Sequence, residues 1–191
     1  RSGLLSKLWR FAFGDPQRRF KITIIGLDNA GKTTALYRLL QGVVVNTQPT
    51  VGSNVETIER QNVKLQCWDL AGQTAFRQGW TTFFNGTNAI LFIVDSSDAA
   101  RIGEARKELF RVLEDESTSN CCILVLANKQ DLPNCMSLNE VMENLQLSEI
   151  KNHDWTILPS CSLTGQGLEE AVEWMVTHLE LNKNTDTAQS K

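Results

Sequence analysis

Residues 26–33 read Gly26-Leu27-Asp28-Asn29-Ala30-Gly31-Lys32-Thr33, which has the form G-x-x-x-x-G-K-T. An apolar run, Phe20–Ile25, precedes this loop, and a segment with helical spacing, Thr34–Leu40, follows it. Strand, glycine-rich loop and helix in this order predict a phosphate-binding loop, because backbone N–H groups and the positive end of the helix then face an anion. A glycine turn before a surface helix explains the pattern poorly, since chance gives this motif in about one per cent of chains of this length.

We expect residues of this loop and of the helix that follows it to contact a nucleotide. Lys32 would reach the β- and γ-phosphates and take part in catalysis, and the hydroxyl of Thr33 would bind Mg²⁺. The other nucleotide-binding candidates of this segment are Asp28, Asn29, Ala30, Gly31 and Thr34.

Length and composition limit the remaining possibilities. A chain of 191 residues with 41% hydrophobic content is expected to form one domain with a buried core. A formal net charge of −3 gives no general attraction to nucleic acid, so no nucleic-acid partner is predicted. The five cysteines include no C-x-x-C pair, which favours buried thiols in a reducing compartment over a metal site. No apolar run is long enough to span a membrane.

Strand-like runs alternate with helical segments through the chain, which predicts an α/β fold with a parallel sheet and helices on both faces. The exception is a pair of strand-like stretches, Asn54–Glu59 and Val63–Trp68, joined by residues 60–62, which predicts a hairpin and one antiparallel edge strand. We expect six strands and about five helices in a domain over residues 19–181, followed by a disordered polar tail over residues 182–191. Ligands of such sheets bind at the carboxyl ends of the strands.

Residues 69–73 read D-x-x-G-Q and follow a predicted strand. Asp69 could hold Mg²⁺ through its water shell, and Gly72 leaves room for its backbone N–H to meet a γ-phosphate. Gln73 could orient a water molecule for in-line attack. Upstream, Thr50 could complete the Mg²⁺ and γ-phosphate shell, in a loop that GTP orders and GDP releases. The D-x-x-G-Q motif is weak alone, and its place after a strand and downstream of a phosphate loop gives it value.

Residues 128–131 read Asn128-Lys129-Gln130-Asp131 and end an apolar run. The carboxylate of Asp131 can accept hydrogen bonds from the N1–H and the 2-amino group of guanine, a pattern that adenine does not offer. Asn128 would tie this loop to the phosphate loop, and the stem of Lys129 would lie over the purine ring. A polar turn is the alternative for this motif alone, and the upstream phosphate loop disfavours it.

Together, the segments G-L-D-N-A-G-K-T-T, P-T-V-G-S-N-V-E, W-D-L-A-G-Q and N-K-Q-D resemble the Arf and Arf-like small GTPases, over residues 3–181. Residues 49–56 and 150–155 look closest to the Arf-like protein five subgroup. The resemblance implies the P-loop small-GTPase fold, bound GTP or GDP with Mg²⁺, and slow hydrolysis that a GTPase-activating protein accelerates. It also implies an exchange factor, effectors and vesicle traffic at the cytoplasmic side of Golgi or trans-Golgi membranes. By the same analogy, the backbone at Cys161 and Ser162 would bind guanine.

The N-terminal 18 residues are expected to form an amphipathic helix and a linker. Apolar residues recur at helical spacing from Leu4 to Phe13, with Lys7 and Arg10 off that stripe. If Gly3 follows the natural initiator, it is a candidate for myristoylation, although Lys7 stands where Ser or Thr is usual. A helix that only packs on the domain is an equally open alternative. In the family, this helix blocks a two-residue slide of the hairpin, residues 53–69 here, until a membrane takes it up.

The chain departs from the Arf pattern at three positions. The resemblance places effectors on Ser53, Trp68 and Phe83, and Ser53 replaces a phenylalanine of Arf proteins, so effector choice should differ. Ala71 replaces a glycine, which would stiffen the segment that follows Asp69. Ser162 replaces an alanine beside the base, with no predicted loss.

Two other classes of protein remain as alternatives. A P-loop kinase or ATPase shares the phosphate loop but has no use for the N-K-Q-D motif. A GTP-binding module that does not hydrolyse GTP is the other, and Gln73 argues against it. No catalytic arginine is evident, since Arg77 is predicted to be a solvated residue and Arg38 a charge on the helix surface. An activating protein is therefore expected to supply the arginine.

Overall fold

The computed structural model describes residues 18–41, 50–60 and 63–189. Within them, six strands alternate with five α-helices. The strands are β1 (Arg18–Ile25), β2 (Ser53–Arg60), β3 (Val63–Leu70), β4 (Ala89–Asp95), β5 (Cys122–Asn128) and β6 (Trp155–Pro159). The helices are α1 (Lys32–Gln41), α2 (Thr74–Arg77), α3 (Ile102–Leu113), α4 (Leu138–Asn144) and α5 (Leu168–Gln189). Short 3₁₀ turns cover Trp80–Phe83, Glu116–Thr118 and Leu147–Glu149.

The strands form a single sheet in the order β2-β3-β1-β4-β5-β6. Strand β2 pairs antiparallel with β3, from Ser53 opposite Leu70 to Arg60 opposite Val63, and every other pairing is parallel. The six-stranded, mostly parallel sheet with one antiparallel edge strand is therefore confirmed. The predicted N-terminal helix lies outside the described residues.

Burial along the strands follows their position in the sheet. Strand β5, in the interior of the sheet, is buried at every residue, whereas the edge strand β2 is buried at one residue and exposed at four of eight. Apolar side chains form two cores, one on each face of the sheet. One core contains Leu36 of α1 and Met175 of α5, and the other contains Leu109 of α3 and Val141 of α4. Both cores fix the carboxyl ends of β1, β3, β4 and β5 side by side, where the motif-bearing loops begin.

The last helix differs from the prediction, because α5 continues through residues 182–189, where we expected a disordered tail. This stretch contains neither glycine nor proline, so no residue in it stops a helix that has already formed. Polar composition alone did not distinguish helix from coil there. Among the described residues, no helix combines the length and apolar character needed to cross a membrane.

Candidate nucleotide-binding site

The predicted phosphate loop connects β1 to α1 and packs closely on the loop that follows β5. Gly31 has a φ of +95°, and a Cβ added there would collide with the side chain of Asn128. That side chain donates from Nδ2 to the Ala30 carbonyl over 2.8 Å, and Asn128 is itself fully buried. The predicted tie between the N-K-Q-D loop and the phosphate loop is therefore present as a direct hydrogen bond.

Lys32 lies inside this loop with only 6% of its surface exposed. Its Nζ donates to the Leu27 carbonyl over 2.9 Å. Burial lowers the pKa of Lys32 to about 8, and the nearby carboxylates of Asp69 and Asp28 oppose that shift. Because an adjacent anion favours the charged ammonium, the position suits a lysine whose partner is a phosphate.

Thr33, Thr50 and Asp69 come together although they belong to three different segments. The hydroxyls of Thr33 and Thr50 lie 2.8 Å apart, and Oδ2 of Asp69 accepts from them over 2.5 Å and 3.2 Å respectively. Asp69 is completely buried, and its Oδ1 has no hydrogen-bond partner among the described residues. Burial raises the pKa of Asp69, against the opposing effects of the Thr33 hydrogen bond and of the Lys32 charge.

This arrangement fits a magnesium ion. Its donors are two hydroxyls and a carboxylate with an unpartnered oxygen, the hard oxygen ligands that Mg²⁺ prefers. The described residues contain no group of three His, Cys, Asp or Glu side chains that could hold a metal alone. Nucleotide phosphates and water would therefore complete the coordination, which is usual for Mg²⁺ in nucleotide sites.

Gly72 lies directly against the phosphate loop. Its carbonyl accepts from the backbone N–H of Asp28 over 3.1 Å. A Cβ added at Gly72 would stand 2.5 Å from the Gly26 carbonyl oxygen and 2.6 Å from the Asp28 nitrogen, so this approach requires glycine. Gln73 follows immediately before α2, with its side chain exposed. The predicted water-positioning residue thus lies next to the phosphate loop.

The base-recognition candidates surround the end of β5. Oδ1 of Asn128 accepts from the N–H and the hydroxyl of Ser162, each over 3.0 Å. Lys129 donates from Nζ to Asp95 over 2.5 Å. Partial burial raises the pKa of the Asp95 carboxyl, but the hydrogen bonds from Lys129 and Ser97 together outweigh it and lower that pKa. Asp131 is exposed, which leaves its carboxylate accessible to a base. The candidate acceptor for guanine, Asp131, and the Asn128 amide therefore lie on one short segment.

The loop after β6 differs from the expectation drawn by analogy. The backbone N–H groups of Ser160, Cys161 and Ser162 already donate to Ala127, Gln166 and Asn128 over 2.9, 3.0 and 3.0 Å. The cause is a tight turn, which an antiparallel bridge between Cys161 and Gln166 closes. The N–H of Cys161 is therefore not free to meet guanine. Ser162 instead orients Asn128.

Thr34, another predicted nucleotide-binding residue, lies half-buried in the first turn of α1.

The prediction that Arg77 is solvated is wrong. Arg77 is 2% exposed, and its Nε donates to the Gly72 carbonyl over 2.6 Å. Its other nitrogens contact Glu104 over 2.5 Å and Asp28 over 3.1 Å. No motif or spacing in the sequence connects these residues, so no local signal could have revealed the contact. Arg38 is half-buried and donates to the Thr164 carbonyl over 2.8 Å.

The three residues predicted to contact effectors lie near the β2 edge of the sheet. The rings of Trp68 and Phe83 have centroids 5.8 Å apart, and Nζ of Lys21 lies 4.9 Å from the Trp68 ring centre. Ser53 is exposed, and Val55, which pairs with Trp68 across the strands, is 38% exposed. Ser53, Val55 and Trp68 point to the same face, because side chains alternate along a strand.

Comparisons with known proteins indicate the same protein family as the sequence motifs. The sequence model of the ADP-ribosylation factor family matches residues 5–179. ADP-ribosylation factor 1 of Brassica rapa subsp. pekinensis is 45% identical over 177 residues, covering 93% of this chain and 96% of that protein. ADP-ribosylation factor-like protein 5A of Homo sapiens is 41% identical over 178 residues, covering 93% and 98%. The solved structure of the Arl6 BBS3 small GTPase from Trypanosoma brucei with bound nucleotide analogue GppNp matches with a TM-score of 0.79 at 30% identity, covering 85% and 98%.

Proposed function

Because this chain belongs to the ADP-ribosylation factor family of GTPases, we propose that it is a slow GTP-hydrolysing switch whose GTP form recruits effectors to membranes in vesicle traffic. The observation that carries this proposal is the meeting of Thr50 with Thr33 and Asp69. Thr50 belongs to the segment before β2. Because Thr50 would bind the γ-phosphate and the metal, these two groups would hold that segment in place. Loss of the γ-phosphate would release it.

The chemistry follows from the positions of the side chains. Thr33 and Thr50 would hold Mg²⁺ directly and Asp69 would hold it through water, and the ion would neutralise charge that develops on the phosphates. Lys32 would contact the β- and γ-phosphates from inside the loop. The N–H of Gly72 would face the γ-phosphate while the side chain of Gln73 orients water for in-line attack. An activating protein would supply an arginine, so unaided turnover is slow.

Membrane binding and effector binding use other parts of the chain. The amphipathic pattern from Leu4 to Phe13 supports a lipid-facing helix, with myristoylation at Gly3. The surface formed by Ser53, Trp68 and Phe83 supports effector binding at the edge of the sheet. Exchange factors and activating proteins would act on the nucleotide site, on the cytoplasmic side of Golgi or trans-Golgi membranes.

Nucleotide competition tests the choice of base. A fluorescent GTP analogue bound to the full chain with Mg²⁺ should be displaced by GTP and not by ATP, with a preference of roughly 10⁴-fold, because Asp131 pairs with groups that adenine lacks. Equal displacement by ATP would instead support a P-loop ATPase or kinase.

Phosphate release tests the hydrolytic role of Gln73. With an Arf-family GTPase-activating domain present, Gln73→Leu should slow release by roughly 10²-fold, because the attacking water loses its orientation. Gln78→Leu is the matched control, since Gln78 is also exposed and lies at the other end of α2. No release from the parent chain would support a non-hydrolysing GTP-binding module. An unchanged rate in Gln73→Leu would contradict the role of Gln73.

Flotation with liposomes tests the membrane helix. The full chain should float when it is loaded with a non-hydrolysable GTP analogue and remain in solution when it is loaded with GDP. Deletion of residues 1–14 should abolish flotation while the chain still binds the GTP analogue, because the deleted segment contains the whole apolar stripe. GTP-dependent flotation that persists after the deletion would contradict the proposal.

A further inference from the structure

Arg77 is the buried centre of a polar cluster that we call the Arg77 cluster. Its members are Asp28 of the phosphate loop, Gly72, Arg77 of helix α2, and Arg101 and Glu104 at the start of helix α3. Arg77 is 2% exposed, although an isolated buried guanidinium is strongly unfavourable. The cluster lies beside the candidate catalytic residues, and none of the expected catalytic steps uses Arg77.

All three nitrogens of the Arg77 guanidinium donate hydrogen bonds, each to a different part of the chain. Nε donates to the Gly72 carbonyl over 2.6 Å, Nη1 to Glu104 over 2.5 Å and Nη2 to Asp28 over 3.1 Å. A second carboxylate of α3, Glu108, lies 3.7 Å from Nη1. Since the guanidinium is planar and rigid, these contacts fix Gly72 relative to both the phosphate loop and α3.

The Gly72 carbonyl is held from two sides, by Arg77 Nε and by the Asp28 backbone N–H at 3.1 Å. This carbonyl belongs to the same planar peptide group as the nitrogen and the Cα of Gln73. Fixing its direction therefore fixes where the Gln73 side chain begins. Without Arg77, one hydrogen bond would hold that peptide plane, and the plane could rotate about it.

We propose that Arg77 is a positioning residue that holds Gly72 and Gln73 against the phosphate loop and so prolongs the GTP-bound state. This inference rests on the proposed GTP switch. The γ-phosphate and Arg77 would hold the same segment from opposite sides, so each would reinforce the other. GDP lacks the γ-phosphate, so its retention depends much less on Arg77.

The test compares dissociation of a fluorescent non-hydrolysable GTP analogue with dissociation of fluorescent GDP, from the full chain with Mg²⁺. Arg77→Gln should speed release of the GTP analogue by roughly 10- to 100-fold, which is the loss of one or two charge-assisted hydrogen bonds, and release of GDP by about threefold or less. Glu104→Gln, which leaves Arg77 in place but weakens its anchor on α3, should act in the same direction with a smaller effect. Glu104→Gln also supplies the result if Arg77→Gln does not fold.

Arg101→Gln is the matched control. Arg101 contacts the same Asp28 carboxylate over 3.0 Å, but it makes no hydrogen bond to Gly72. Its loss should change release of the two nucleotides by the same factor. Melting temperatures of all variants identify general destabilisation, which would accelerate both releases together.

The outcomes separate this inference from the proposed function. If the parent chain fails to retain the GTP analogue, the proposed switch itself is wrong. If the parent chain retains it and Arg77→Gln speeds both releases equally, Arg77 has only a structural role and the inference is overturned. A selective loss of GTP-analogue retention in Arg77→Gln and Glu104→Gln, absent from Arg101→Gln, would support it.

Discussion

Replacement of Asn128 by alanine tests how the phosphate loop and the base loop are joined. The Asn128 amide donates to the Ala30 carbonyl over 2.8 Å and accepts from the Ser162 N–H over 3.0 Å. Asn128→Ala leaves both backbone groups without these partners in a buried place, at about 1–3 kcal/mol for each unsatisfied group. We expect a loss of about 3 kcal/mol in the free energy of unfolding, which lowers the melting temperature by about 6–12 °C at this chain length.

The assay is thermal unfolding followed by circular dichroism, in excess GDP and Mg²⁺. The matched control is Asn144→Ala, because Asn144 also donates to a backbone carbonyl, that of Glu140 over 2.7 Å, but on an exposed helix end. The control should lose about 1 kcal/mol or less. If Asn128→Ala melts within about 2 °C of Asn144→Ala, then the buried amide does not join the two loops as argued.

Two further predictions concern the base and the thiols. Asp131→Asn should shift preference from guanine to xanthine nucleotides in a competition assay, because an amide N–H can donate to the 2-oxo group of xanthine; retained guanine preference would contradict the role of Asp131. Burial raises the pKa values of the Cys67, Cys121 and Cys122 thiols to about 12, so at pH 8 only roughly one in 10⁴ of each is thiolate. A disulfide reagent should therefore label the folded chain at the half-buried Cys135, with Cys135→Ser as the control, and rapid labelling of several thiols would contradict the packing.

Most of the nucleotide site could be predicted because its motifs are short and local. The carboxyl ends of parallel strands lie at one edge of a sheet, so motifs that follow β1, β3 and β5 must meet there. Thr50 lies at the same edge for a different reason, because β2 runs antiparallel to β3 and its first residue, Ser53, pairs with Leu70 at the end of β3. Chemistry and topology together were sufficient for these positions.

The features that the sequence did not predict depend on packing between distant segments. Arg77 contacts Asp28 and Glu104, which lie far from it in the chain, and no periodic pattern connects the three. The N–H of Cys161 is used by Gln166 because of a turn whose closure depends on its exact geometry. Side-chain partners of this kind are fixed only when helices and loops pack on the sheet.

Hydrogen exchange in two nucleotide states tests most directly whether the chain is a switch. Peptides that cover residues 50–60 and 72–80 should exchange slower with a non-hydrolysable GTP analogue than with GDP, by about tenfold or more, which corresponds to about 1.4 kcal/mol. Peptides that cover residues 122–127 should exchange equally in both states, because every one of these residues is buried in the interior of the sheet. Equal exchange of residues 50–60 and 72–80 with the two nucleotides would contradict the account.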